Sequence, residues 1–208
     1  MIKRIIFDVD DTLIDFPKEY LTAYQGIASK YNLKITPYDL YAAISKYELK
    51  KDEISFTKEG LLLTINNELN LNLDINFIDD FLYAYNNLKI ELSNEVKETL
   101  DYLSHKYELV ILSNWFTDSQ KIRLEKAGIL KYFVEVYGAD IVSKKPNKDS
   151  YLSAMNGYKP EECFMIGDNL DMDIKIPYSM GINVFHLSKE KKGEYPTINK
   201  IEELRKVL

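Results

Sequence analysis

The sequence predicts an α/β fold in which a Rossmann-like parallel sheet carries helices on both of its faces. Three observations support this prediction. Short apolar runs at 5–7, 109–112 and 163–166 have the length and composition of strands buried on both faces. From residue 93 onward such runs alternate with helical patterns, as in a parallel sheet with crossover helices. A long helical stretch follows the first strand, so we expect a helical domain inserted there.

The first strand is predicted over about 3–8, and it ends in a group of acidic residues. Asp8, Asp10 and Asp11 follow the apolar run, and Thr12 adds a hydroxyl. In open α/β sheets, chemistry lies beyond the carboxyl ends of the strands. Crowded carboxylates are costly unless a cation neutralises them or one of them stays protonated. The segment therefore indicates a metal site, with a solvated acidic turn as the alternative.

Residues 15–90 are predicted to form the inserted helical domain, and 1–14 with 91–208 the catalytic core. Apolar residues recur in the insertion at helical spacing, and one helix opens at Thr36-Pro37, a capping residue followed by proline. Four tyrosines with helical spacing could stack on a nucleobase or form the bundle core: Tyr20, Tyr24, Tyr41 and Tyr47.

Beyond Ser93-Asn94 the remaining elements are predicted in alternation. Glycines after three of the helices, Gly128, Gly157 and Gly181, mark their ends. In order, we expect a helix around 96–103, a strand at 109–112, a helix over 117–127, a strand at 134–137, a helix over 148–156, a strand at 163–166, a helix over 171–180, a strand at 182–185 and a terminal helix from about Lys200.

Composition excludes several classes of function. The 208 residues are 46% hydrophobic and 29% charged, as in ordinary globular proteins. The net charge of −6 and the lack of a dense Lys/Arg run disfavour nucleic-acid binding. No apolar run is long enough for a membrane span, and the single Cys163 excludes an internal disulfide. We expect a cytoplasmic protein with a small-molecule partner, no membrane association and no obligatory protein partner.

Polar residues at three strand ends and in one loop suit a single reaction. The first strand ends at Asp8, the second at Ser113-Asn114 and a later one at Gly167-Asp168, with Asp173 five residues on. Lys144-Lys145-Pro146 forms a loop that could point a cation inward. Each piece is weak alone, but chance is a poor explanation for all of them in this order.

These residues resemble the four motifs of the haloacid dehalogenase-like (HAD) hydrolase superfamily. The matching segments are 8–12, Ser113-Asn114, Lys145-Pro146 and 167–173. The helical insertion resembles the type 1 cap of that superfamily. Within it, the chain looks most like the branch that contains small phosphatases and nucleotidases.

The resemblance implies a Mg²⁺-dependent phosphomonoester hydrolase that acts on a small phosphorylated metabolite, such as a nucleotide or a sugar phosphate. It implies that Asp8 is the nucleophile that forms an aspartyl-phosphate, that Asp10 is the general acid and base, and that Lys145 offsets negative charge. The implied Mg²⁺ ligands are Asp8, Asp10 through its main-chain carbonyl, Asp168 and Asp173. The implied phosphate-binding residues are Thr12, Ser113, Asn114 and Lys145.

Several positions leave alternatives open. Asp11 stands where the family most often has glycine, and we favour a turn residue over an added carboxylate near the metal. Trp115 could line the pocket or pack in the core. Lys145 is preferred over Lys144 because it directly precedes the proline. A phosphomutase remains an alternative function; a haloacid dehalogenase and a catalytically silent binding protein are weaker ones.

Overall fold

The computed structural model describes residues 1–15, 20–50, 55–190 and 193–208. It divides into two compact units: Met1–Asp15 with Glu91–Leu208, and Phe16–Ile90. Two parts of the predicted helical domain, 16–19 and 51–54, lie outside the described residues. None of the helices in the described ranges has the length and apolar character needed to cross a membrane.

The larger unit is built on a parallel sheet, which confirms the predicted fold class. Within the described residues the strands are β1 (Arg4–Phe7), β2 (Glu108–Leu112), β3 (Glu135–Tyr137), β4 (Cys163–Gly167), β5 (Asn183–Leu187) and β6 (Thr197–Ile198). Their order in the sheet is β3-β2-β1-β4-β5-β6, and every neighbouring pair is parallel. The sequence did not predict β6, because two residues are too few to show a pattern.

In its described part, the smaller unit contains helices α1 (Tyr20–Lys30), α2 (Pro37–Glu48), α3 (Lys58–Leu69) and α4 (Ile75–Asn86). As the sequence predicts, Thr36 caps α2: its side chain accepts a hydrogen bond from the backbone N–H of Asp39, whose carboxylate accepts from the N–H of Thr36. Of the four tyrosines at helical spacing, Tyr24 and Tyr47 are buried in this unit, whereas Tyr41 is exposed.

Five helices of the larger unit are α5 (Asn94–Ser104), α6 (Thr117–Lys126), α7 (Lys148–Met155), α8 (Lys175–Ser179) and α9 (Leu204–Val207). The helix predicted over 171–180 is divided, because Leu170–Ile174 form a π-helical turn ahead of α8. The Asn169 side chain accepts hydrogen bonds from the backbone N–H groups of Asp171 and Met172, which fixes the start of this wider turn.

The three central strands, β1, β2 and β4, are largely buried on both faces, as their continuous apolar runs predict. Ile6, Val110 and Met165 pack with α7 in one hydrophobic cluster. Ile5 and Ile111 alternate with them along their strands, point to the opposite face, and are also fully buried. Cys163 belongs to this core, where burial raises the pKa of its thiol to about 11.

The sheet topology brings the motif residues to one edge. The chain runs from β1 outward to β2 and β3, then returns to β4 on the other side of β1. At such a switch point the connections diverge and leave a crevice beyond the carboxyl ends of the strands. Asp8, Ser113 and Asp168 directly follow the three strands that meet there.

Candidate active site

A buried lysine joins two buried carboxylates at the end of β1. The Nζ atom of Lys145 lies 2.7 Å from Oδ1 of Asp8 and 2.6 Å from Oδ1 of Asp173. Burial alone would lower the pKa of Lys145, but the two adjacent carboxylates outweigh it and raise the pKa. The ammonium group is therefore held in its charged form at the carboxyl end of the central strand.

Asn114 holds the backbone of Lys145 through two hydrogen bonds. Its Nδ2 donates to the carbonyl oxygen of Lys145 at 2.9 Å, and its Oδ1 accepts from the N–H of Lys145 at 2.7 Å. This arrangement presents Lys145 to Asp8 and Asp173. Lys144 is also buried, but the ion pairs with these two carboxylates come from Lys145, the lysine that the sequence prefers.

Asp173 is fixed from three directions. Its Oδ2 accepts a hydrogen bond from the backbone N–H of Asn169 at 3.1 Å, in addition to the Lys145 ion pair. The Tyr151 hydroxyl donates to the carbonyl oxygen of the preceding Met172. A methyl group at Gly167 would lie 2.3 Å from Cγ of Asp173, so only glycine allows the carboxylate this close to β4.

Asp168 is the third carboxylate of the site. His186 donates from Nε2 to the carbonyl oxygen of Asp168 at 2.8 Å, which holds the end of β4. The Thr12 hydroxyl donates to Oδ1 of Asp168 at 3.3 Å and accepts from its N–H at 3.1 Å. The sequence predicts phosphate binding by Thr12, but the structure engages this hydroxyl with Asp168. Burial raises the pKa of Asp168 to about 6, and the charges of Asp8 and Asp11 add to this effect.

These carboxylates have the chemistry of a divalent metal site. One carboxylate oxygen from each of Asp8, Asp168 and Asp173 lies within 4.8 Å of the others. Burial raises the pKa of Asp8 and of Asp173 as well, so the ionised forms are unfavourable without a further positive charge. When all four groups are ionised, the three carboxylates and the ammonium of Lys145 together carry two net negative charges. A hard divalent cation such as Mg²⁺, which prefers oxygen ligands, fits this set.

Asp10 faces a second positive group, Arg123, which the sequence motifs do not predict. Arg123 of α6 is 1% exposed, and its Nη2 lies 2.6 Å from Oδ1 of Asp10, as an ion pair rather than an aligned hydrogen bond. Gln120, also of α6, donates to Oδ2 of Asp10 at 2.9 Å. One signal was present in the sequence: Gln120 lies four residues before Leu124 on the buried face of α6, a polar residue at an apolar position.

The structure shows the surroundings of Asp11 and Trp115, two positions for which the sequence leaves alternatives open. Asp11 is exposed, and its φ of +59° lies in the left-handed region, where glycine is favoured and aspartate is tolerated. This backbone geometry agrees with the preferred prediction that Asp11 is a turn residue. Trp115 is buried, and its Nε1 donates to Oγ of Ser119 at 2.9 Å.

Comparison with known proteins supports the resemblance. A sequence model described as haloacid dehalogenase-like hydrolase matches residues 5–187. The glyceraldehyde 3-phosphate phosphatase of Methanothermobacter thermautotrophicus is 28% identical, over 91% of this chain and 87% of that protein.

Two solved structures share the fold. YfnB of Bacillus subtilis, described as a HAD-hydrolase and bound to magnesium, has a TM-score of 0.77 at 20% identity, over 99% of this chain and 98% of that one. An L-2-haloacid dehalogenase from Xanthobacter autotrophicus has a TM-score of 0.72 at 21% identity, over 100% and 98%. At these identities the likeness concerns the fold alone.

Gly167→Ala tests the close approach of Asp173 to β4. We expect the added methyl to displace Asp173 and lower the free energy of unfolding by about 1–3 kcal/mol, the usual cost of overpacking. Urea denaturation would measure it. Gly26→Ala, where the methyl meets open space within α1, is the matched control and should be neutral or slightly stabilising. Equal stability of Gly167→Ala and the unsubstituted protein would contradict the packing argument.

Metal binding should offset the repulsion among the carboxylates. Because the pKa of Asp168 is raised in the folded state, its favourable contribution to stability is complete below its unfolded pKa and is lost as the pH rises through about 6. Mg²⁺ should therefore raise the melting temperature more at about pH 8 than at about pH 5. Asp168→Asn should raise the metal-free melting temperature at about pH 8 and reduce the Mg²⁺ shift. Calorimetry measures both, and an undiminished Mg²⁺ shift in Asp168→Asn would count against this site.

Proposed function

Since the chain belongs to the haloacid dehalogenase-like hydrolase family, we propose that it is a Mg²⁺-dependent phosphatase that acts on a small phosphorylated metabolite. The observation that carries this proposal is the pair of carboxylates at the end of β1 with separate partners. Asp8 pairs with Lys145 and Asp10 with Arg123. Two carboxylates with different surroundings suit a nucleophile and an acid–base group. The similarity to a named glyceraldehyde 3-phosphate phosphatase supports the same reading.

Asp8 is the proposed nucleophile. Lys145 occupies its Oδ1, whereas Oδ2 accepts no hydrogen bond from any residue that the structure describes. In the first step, a carboxylate oxygen of Asp8 bonds to phosphorus as the bond from phosphorus to the leaving oxygen breaks. The product is an aspartyl-phosphate. The positive charge of Lys145 offsets the negative charge of these acids, which would otherwise repel the phosphate.

Asp10 is the proposed general acid and base. It gives a proton to the leaving oxygen in the first step. In the second, it takes a proton from water as the water oxygen attacks phosphorus and the bond to Asp8 breaks. Inorganic phosphate leaves and both aspartates return to their starting forms. The side chain of Asp10 is 30% exposed, so one side remains open to a leaving group and to water.

The phosphate would be bound by Ser113 and Lys145. The Ser113 hydroxyl accepts hydrogen bonds from the N–H of Trp115 and from Nε2 of Gln120, so its own proton remains to be donated. The Asn114 side chain is engaged with Lys145, which leaves it a positioning role in addition to the predicted phosphate contact. Thr12 is proposed to act mainly by holding Asp168.

Magnesium is the proposed cofactor, and the carboxylates of Asp8, Asp168 and Asp173 would hold it together with the main-chain carbonyl of Asp10. When bound, Mg²⁺ supplies positive charge that attracts and polarises the phosphate. Both oxygens of Asp173 already have protein partners, so this residue is proposed to act as a ligand or through a bound water. The helical insertion, 15–90, is proposed to be the cap domain of the family, and a nucleotide or a sugar phosphate the substrate.

A haloacid dehalogenase is one alternative function, because such an enzyme shares this fold. The two reactions place different demands on the acids. Dehalogenation releases halide, which needs neither a proton from Asp10 nor a metal. The site here combines Asp10 with a cluster of three carboxylates, and that combination favours phosphate chemistry. A phosphomutase, which would need its intermediate shielded from water, is the other alternative.

Phosphate release from 4-nitrophenyl phosphate tests the proposed function. We expect hydrolysis that requires Mg²⁺ and that falls by at least about 10³-fold in Asp8→Asn, since this change removes the nucleophile. Asp171→Asn makes the same chemical change at an exposed residue paired with Lys175 and should retain activity. Hydrolysis that survives chelation, or that survives Asp8→Asn, would show that the mechanism is wrong.

Halide release separates the two hydrolase classes. Incubation with 2-chloropropionate should yield no chloride above the level of Asp8→Asn, because the site is arranged for a leaving oxygen that needs a proton. Ion chromatography of the mixture measures chloride directly. Chloride release by the unsubstituted protein without metal, together with inactivity on phosphate esters, would favour the dehalogenase instead.

A further inference from the structure

We propose that Gln120 and Arg123 are positioning residues that hold Asp10 and Ser113 in one fixed arrangement. The inference rests on the proposed phosphatase function and deepens it. It assigns to α6 the task of aligning the group that protonates the leaving oxygen with the group that binds the phosphate.

Stabilisation of the fold does not by itself explain why Arg123 is buried beside Asp10. It is 1% exposed, pairs with Asp10 through Nη2 at 2.6 Å, and donates from Nη1 to Oε1 of Gln120 at 2.9 Å. Burial of an arginine carries a large desolvation cost, and apolar residues of similar volume often give equal or greater stability. Its planar guanidinium, however, can hold two partners in a defined relation. The contacts of Arg123 therefore favour a role in orienting Asp10 and Gln120 over a role in stabilising the fold.

Gln120 has only one orientation that satisfies its neighbours. Arg123 can only donate, so the Gln120 atom that faces it must be the carbonyl Oε1. The Nε2 group must then face Asp10 and Ser113, and it donates to Oδ2 of Asp10 and to Oγ of Ser113, both at 2.9 Å. The side chain is fully buried, so water cannot replace these bonds. The amide therefore links the two functional groups directly.

The network fixes both oxygens of Asp10. Oδ1 meets Arg123 and Oδ2 meets Gln120, which sets the plane of the carboxylate. The same Gln120 amide occupies a lone pair of the Ser113 hydroxyl and so restricts the direction in which its proton points. A proton donor and a phosphate ligand that are fixed to one amide keep their relative geometry during the reaction.

The start of α6 is itself anchored, which gives the network a rigid base. Phe116 provides no side-chain cap, and Asp140 takes over this role from a distant loop. Its Oδ1 accepts from the N–H and from the hydroxyl of Thr117, each at 2.7 Å. Gln120 and Arg123 lie within the next two turns, so their positions depend on this anchor.

The test measures how activity depends on the leaving group. A misplaced acid harms substrates whose leaving oxygen needs a proton far more than those with a good leaving group. In Arg123→Met, we expect kcat/KM to fall by about 10²-fold for phenyl phosphate and by less than about 10-fold for 4-nitrophenyl phosphate. A plot of log kcat/KM against leaving-group pKa for substituted phenyl phosphates should become steeper. Arg123→Lys, which keeps the charge, should recover part of the loss for phenyl phosphate.

Controls separate positioning from damage to the fold. Gln120→Leu keeps a similar volume without the hydrogen bonds, and it should steepen the same plot if Arg123→Met does not fold. Arg205→Met removes an exposed arginine that lies 3.5 Å from Glu98, and it should behave as the unsubstituted protein. The Mg²⁺-dependent rise in melting temperature should persist in the folded Arg123 and Gln120 variants.

The outcomes distinguish this inference from the proposed function. If the unsubstituted protein hydrolyses no phenyl phosphate, or if Asp8→Asn is equally active, the phosphatase proposal itself fails. If the protein is active but Arg123→Met and Gln120→Leu lose the same factor across the whole series, the slope is unchanged and the positioning role alone is refuted.

Discussion

The constraint on which the rest of this structure depends is the burial of negative charge at the carboxyl end of β1. Asp8 is 8% exposed and Asp173 is 1% exposed, and Lys145 lies between them. Buried carboxylates need such a partner, because an unpaired buried charge is among the costliest features in a protein. Several neighbouring residues support the contact of Lys145 with Asp8 and Asp173. Asn114 holds the backbone of Lys145, and the lack of a side chain at Gly167 makes room for Asp173.

The two cations of the site have different partners, and the difference suits their chemistry. Lys145 contacts Asp8 and Asp173 with a compact ammonium charge, and in the proposed mechanism the same charge also binds the phosphate. Arg123 contacts Asp10 with a rigid planar group and shares Gln120 with it. In the proposed mechanism, the lysine offsets charge where bonds form and break, and the arginine orients a group that moves a proton.

The fold by itself does not choose among phosphatase, mutase and dehalogenase, since one fold supports several reactions. The set of side chains at the strand ends is more informative. The cluster of Asp8, Asp168 and Asp173 has the chemistry of a cation site, and in the proposed mechanism the separate carboxyl group of Asp10 gives a proton to a leaving oxygen. That combination is the reason to propose phosphoester hydrolysis.

The sequence alone determined the fold class, the order of the first five strands and the residues at the strand ends, because apolar periodicity and strand-end polarity are local properties. It did not predict β6 or the division of the helix at 171–180. Lys145 could be preferred over Lys144 from its neighbour alone. The tertiary structure decided what each side chain touches. Gln120 and Asp10 are 110 residues apart in the sequence, and Thr12 and Asp168 are 156 apart. No local pattern reports such contacts. They exist only because the parallel sheet brings separate strand ends to one edge and α6 packs beside them.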